Sequence, residues 1–97
     1  MTTWHVYVVR TRRGALYTGI ATDVERRVAE HEGDSKKGAR SLRGQGPLEL
    51  VYRVALADRA EASRVEALIK RQSKQRKERF VREQPCADTL RGLLDDA

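Results

Sequence analysis

Tyr7 and Tyr17 stand ten residues apart, Tyr17 opens the triplet Tyr17-Thr18-Gly19, and Arg27, His31 and later Glu66 follow in order. Side chains of these types suit the cleavage of a phosphodiester. That reaction needs a group to activate water, a cation against the charge developing on phosphorus, and a ligand for a metal ion. Tyr17, Arg27 and His31 can supply the first two, and Glu66 is the candidate for the third. Each also has a plainer reading. Tyrosine is common as a half-buried strand aromatic, and a lone histidine on an apolar helix face is more often a satisfied residue at the edge of the core. The chemistry therefore depends on the elements that position them.

Trp4 to Arg10 alternates Trp4, Val6 and Val8 against His5, Tyr7 and Val9, the pattern of a strand covered on both faces. Thr11-Arg12-Arg13-Gly14 reads as a turn and Ala15 to Ile20 as a second strand, so the two form a hairpin. A register with Tyr7 directly across from Tyr17 puts both on one face, and a slip of one residue would separate them. Thr22-Asp23-Val24-Glu25 reads as a capping box, with Thr22 as the cap. In the helix that follows, Val24, Val28 and His31 share a face with Arg27, while Arg26 and Glu30 point away. Arg27 is thus aimed at the body of the protein, where a guanidinium requires a carboxylate partner or a function. Gly33 is the expected stop.

Ser35 to Pro47 contains Lys36, Lys37, Arg40 and Arg43 and no acidic residue, which reads as a basic loop able to approach phosphates; a solvated linker is the plainer alternative. Leu48 to Ala55 alternates as a third strand. Asp58 is a suitable cap for a long helix reaching to about Glu83, with Ala62, Val65, Leu68 and Ile69 as its apolar stripe and Glu66 on the flank of that stripe. Between Arg64 and Arg82 there are eight basic residues, Lys70, Lys74 and Lys77 among them, against Glu66 and Glu78 alone. A merely soluble helix face intersperses both signs, so the imbalance favours a polyanionic partner. Pro85 to Leu94 reads as a short last helix with Leu90, Leu93 and Leu94 inward.

At 97 residues the chain is expected to be one domain with a modest core. Its net charge of +6, carried by 15 arginines and 5 lysines, fits a phosphate-bearing partner, since the planar guanidinium matches phosphate oxygens in pairs. The single cysteine, Cys86, excludes an internal disulfide and a zinc site of the CxxC kind, and reads as a small, partly buried residue of the late helix. No apolar stretch is long enough to cross a bilayer, and Met1-Thr2-Thr3 does not open a signal peptide, so a cytoplasmic protein is expected.

Taken together, these residues resemble the GIY-YIG nuclease family. Val6-Tyr7 stands where the family has Ile-Tyr, Tyr17-Thr18-Gly19 stands for Tyr-Ile-Gly, and Arg27, His31 and Glu66 match its arginine, its histidine or tyrosine, and its glutamate. The resemblance covers roughly residues 4 to 83 and is strongest to the short stand-alone bacterial members, through Gly38-Ala39-Arg40-Ser41-Leu42-Arg43-Gly44 and Lys74-Gln75-Arg76-Lys77-Glu78-Arg79. His5 replaces the family's leading glycine, and the chain holds no asparagine to match the family's late one, which implies a substitute group or weak activity.

The resemblance implies an α+β fold, a three-stranded antiparallel sheet flanked by helices in the order β-β-α-β-α-α, as a single domain over residues 1–97. It implies a DNA endonuclease of the repair or recombination type, structure-dependent or nonspecific, working as a monomer or weak homodimer. Glu66 would bind one Mg²⁺ or Mn²⁺, Tyr7 or Tyr17 would accept the proton of water, Arg27 would steady the transition-state charge and His31 would orient or relay a proton. Gly19 would be structural, and Lys36, Lys37, Arg40, Arg43, Lys70, Lys74 and Lys77 would face the nucleic acid. Two alternatives stand beside this one: a basic DNA- or RNA-binding module without catalysis, and a protein that docks through its leucine-containing C-terminus.

Overall fold

The computed structural model describes residues 2–32 and 47–95. The expected loop cations Lys36, Lys37, Arg40 and Arg43, and the expected helix stop Gly33, lie outside the described residues. Strands β1 (Trp4–Arg10), β2 (Leu16–Ala21) and β3 (Glu49–Leu56) form one antiparallel sheet in the order β2-β1-β3, so β1 is central and β2 is an edge. Helices α1 (Val24–Glu32), α2 (Arg59–Lys70), α3 (Lys74–Glu83) and α4 (Ala87–Asp95) complete an α+β domain.

The alternation of β1 divides the core in two. Val6 and Val8 join Tyr52, Leu56, Ala62, Val65, Ile69, Phe80, Leu90 and Leu94 under α2, α3 and α4. Tyr7 and Val9 join Ala21, Val24, Val28 and Leu48 under α1. The shared face of the two tyrosines depends on the hairpin, and here the structure differs from the expected register. Tyr7 pairs with Gly19, and Tyr17 pairs with Val9. The slip is by two residues, so the tyrosines stay on one face but lie diagonally. Its cause is a three-residue loop, Arg12-Arg13-Gly14, closed by Thr11 N–H to Ala15 O at 2.8 Å, with Gly14 at φ 87°. A glycine in left-handed conformation ends this loop type without steric cost.

At α1 the cap is Asp23 rather than Thr22: its carboxylate accepts the Arg26 N–H at 3.1 Å, and Glu25 pairs with Arg53 instead of reaching back. Both residues are good caps, and the structure takes the one nearer the helix. The expected long helix is two. Its first part starts on Asp58 as predicted, with the carboxylate accepting the Glu61 N–H at 2.8 Å. The chain then breaks at Arg71-Gln72-Ser73, and the Ser73 hydroxyl caps α3 by accepting the Arg76 N–H at 3.2 Å. The break lets α3 turn across the end of the sheet, where Glu78 receives both guanidinium nitrogens of Arg10 at 2.7 and 2.8 Å. Gln84, in the left-handed conformation at the end of α3, donates its amide to Val81 O and to Val51 O, where the β1–β3 register shifts.

Cys86 is exposed, not partly buried, because it precedes α4; its Sγ lies 3.3 Å from the Thr89 hydroxyl, and Pro85 is buried in its place. Leu90 and Leu94 are buried and Leu93 packs against the same cluster, so these leucines serve the protein's own core. Among the described residues, no helix is long and apolar enough to cross a membrane.

Candidate active site at the sheet edge

Tyr7 occupies the middle of the central strand and is 1% exposed, yet its hydroxyl belongs to the sheet edge. Gly19 makes this possible. A Cβ there would lie 2.5 Å from the Tyr7 hydroxyl oxygen and 2.7 Å from the ring carbon that bears it, so the ring crosses the edge strand where a side chain is missing. The structural role expected of Gly19 is thus a space reserved for Tyr7.

At the end of that ring the hydroxyl meets His31 Nε2 at 2.9 Å. His31, in the last turn of α1, is 3% exposed, and burial followed by the nearby charge of Arg27 holds its pKa below the ordinary value. At neutral pH it is therefore uncharged, and its Nε2 can accept the Tyr7 proton. The Tyr7 phenol is pushed up to about 12, mainly by burial and then by Tyr17, while Arg27 opposes the shift through its charge and a hydrogen bond to the hydroxyl. Tyr17 packs edge-on against the same imidazole, with ring centroids 5.6 Å apart.

The partner expected for Arg27 is on its own helix: Glu30 Oε1 receives its Nη1 at 3.1 Å. Glu30, assigned to the outer face by the helix pattern, is in fact half-buried and pairs with Arg26 as well. Glu66 lies on the flank of the α2 stripe as predicted, between Val65 in the core and solvent. It is close enough for its charge to act on the Tyr7 phenol, and its Oε2 is 3.5 Å from Lys70 Nζ. Lys70 in turn sits over the Tyr17 ring, 5.8 Å from the centroid. Tyr7, Tyr17, Arg27, His31 and Glu66 thus converge at the β2 edge. Lys70, read from the sequence as an outer phosphate contact, bridges two of them, whereas Lys74 is exposed and Lys77 half-buried on α3. Glu30 was not singled out by sequence pattern, because a helical wheel places it beyond the apolar stripe.

Among the described residues no three or more of His, Cys, Asp and Glu gather as a metal cage. Glu66 offers one hard oxygen ligand at a half-exposed position. That donor set fits a cation such as Mg²⁺, which keeps several waters and takes one or two protein carboxylates plus substrate phosphate. The Lys70 partner does not close the position, since an i,i+4 pair of this exposure contributes only about 0.3–0.5 kcal/mol.

A sheet edge with these groups, in an α+β domain of this topology, has a known class. The chain belongs to the GIY-YIG family: the sequence model of the GIY-YIG catalytic domain matches residues 3–79, which supports a nuclease-type function and a nucleic-acid substrate. Among its relatives, a UPF0213 protein of Serratia liquefaciens is 49% identical over 94 residues, spanning 97% of this chain and 88% of that one. A UPF0213 protein of Yersinia enterocolitica is 48% identical over 92 residues, spanning 95% and 91%. The solution structure of a UPF0213 protein from Bacillus halodurans is 39% identical, covers 84% of this chain and 85% of its own, and superposes with a TM-score of 0.55.

Proposed function

We propose that the protein is a divalent-metal-dependent DNA endonuclease of the repair or recombination type, acting on DNA structure or without sequence preference. The observation that carries this reading is the Tyr7 hydroxyl held 2.9 Å from a buried histidine of lowered pKa, with the Arg27 charge acting on the same phenol. A phenol whose pKa is near 12 is a poor base alone. Coupled to neutral His31 it becomes a relay: Tyr7 accepts a proton from water as it passes its own to Nε2, and the water oxygen attacks phosphorus as the leaving oxygen departs. Arg27 carries the positive charge that faces the phosphorane. Tyr17 packs against the His31 ring and fixes its orientation, so Tyr7 and not Tyr17 is assigned as the base. Glu66 would hold the divalent ion, which supplies charge neutralisation at the phosphate when bound.

Nicking of plasmid and branched DNA with Mg²⁺ or Mn²⁺ tests the reading. Tyr7→Phe should cut the rate by about 10²–10⁴-fold, the usual worth of a positioned acid or base, and Glu66→Ala should abolish metal-dependent nicking. Equal activity in wild type and Glu66→Ala would sink the proposal. A second reading, a DNA- or RNA-binding module without catalysis, is favoured by one observation, the Glu66 carboxylate paired with Lys70. It requires salt-sensitive binding, no cleavage with any metal, and affinity unchanged by Tyr17→Phe.

A further inference from the structure

Arg27 has a second neighbourhood. It also lines a cleft of about 330 Å³, within the size range of small-ligand clefts. The apolar wall is Trp4 and Ile20; the polar wall is Arg26 and Arg27 with Asp23 and Glu30. The two carboxylates offset the two guanidiniums in charge: Glu30 pairs with both guanidiniums, and Asp23 accepts the Arg26 backbone N–H. A phosphate would therefore meet as much negative as positive charge. A flat, uncharged ring with donors and acceptors on its rim suits the cleft better. The indole offers a stacking surface, the carboxylates accept from ring and exocyclic N–H groups, and the guanidiniums donate. Trp4 is half-buried, and the exposed Arg59, which does not line the cleft, holds its guanidinium carbon 5.4 Å from the ring centroid.

We propose that this cleft receives an unpaired nucleobase adjacent to the phosphate to be cut, so that the protein selects nucleic acid in which that base has lost its partner. The proposal rests on the nuclease reading above. Arg27 links the two places, since it lines the cleft and its positive charge acts on the Tyr7 phenol, which puts the base near the reacting group. A base inside an intact duplex has no free face for the indole.

Trp4 is the chain's one tryptophan, so its emission reports the cleft directly. The wild-type protein is titrated, with chelator present to prevent cleavage, with three end-labelled DNA duplexes: fully paired, with a one-nucleotide bulge, and with an abasic bulge. Label anisotropy measures binding, and tryptophan emission measures occupation of the cleft. The expected result is quenching by the bulged duplex alone, with the bulge bound about tenfold more tightly than its abasic counterpart, the scale of one base–aromatic stack. Trp4→Leu should remove that preference while leaving the affinity for paired duplex unchanged; the wild-type emission decides the matter even if this variant does not fold. Binding by anisotropy with identical emission for the bulged and abasic duplexes overturns the cleft assignment and leaves the nuclease reading standing. No binding of any duplex overturns both.

Discussion

Gly19→Ala is the sharpest probe of how this fold builds its site. Gly19 has no left-handed backbone to protect, so the substitution acts through space alone. The new Cβ would stand 2.5 and 2.7 Å from the hydroxyl oxygen and Cζ of Tyr7. Tyr7 cannot simply yield, because it is 1% exposed and its far end is bonded to His31. Overpacking of a filled core costs about 1–3 kcal/mol, and displacing the hydroxyl from Nε2 forfeits a further ~1 kcal/mol. Alanine recovers about 0.4–1 kcal/mol by restricting the unfolded chain. The net is a destabilisation of about 2 kcal/mol, read as a fall in Tm of roughly 8–16 °C for a chain of this length. Nicking should fall further than stability, since the displaced atom is the proposed base. The same substitution in a Tyr7→Leu background meets no ring end and should be neutral or mildly stabilising, a coupling of about 2–3 kcal/mol. A Gly19→Ala protein as stable as wild type, or an equal cost in both backgrounds, refutes the reasoning.

Three further outcomes follow from particular contacts. His31 holds its proton less tightly in the fold than the ordinary 6.5, so the unfolded chain is protonated first as pH falls. Stability should decline as pH drops below 6.5 and level off beneath the folded-state value, nicking should fall in the same window, and His31→Gln should flatten the stability curve, all measurable by denaturant titration and rate profiles. Glu61 is held down to about 2, first by the Arg91 side chain and then by the Ala57 N–H. Its contribution is present above the ordinary 4.5 and lost as pH falls towards 2, so Arg91→Ala should shrink the acid-side loss of stability; parallel curves for the two proteins would exclude that origin. Ser73→Ala removes the cap of α3 and should cost about 1 kcal/mol, seen as a fall in Tm of roughly 4–8 °C.

The elements were largely legible because periodicity reports burial. Trp4–Arg10 falls on its expected bounds, and the face shared by Val24, Val28, His31 and Arg27 is the face the structure buries or half-buries. What eluded sequence reading are choices between near-equal local options. Thr22 and Asp23 both make caps, and only packing of α1 decides between them. The hairpin slipped because Gly14 could end a three-residue loop as readily as sit inside a four-residue turn. The helix break at Gln72-Ser73 carries no glycine or proline, and its one signal is a serine well suited to capping. The convergence of Glu66 on Tyr7 is tertiary: the flank position was readable, but that it faces the β2 edge follows from how α2 packs on the sheet.

The two layers of the core are unequal, and the smaller one ends in the site. Among the described residues, ten buried ones lie beneath α2, α3 and α4, and six beneath α1, Tyr7 the largest of the six. Evolution therefore has two workshops on one sheet. The larger layer can exchange its aliphatic side chains and accumulate or lose stability with little effect on the Tyr7–His31 contact. In the smaller layer each change of volume shifts the proposed base itself, so variation there alters chemistry and stability together. Changes beneath α1 act directly on the Tyr7–His31 contact, whereas changes beneath α2 reach the site through Glu66 and Lys70 on its flank.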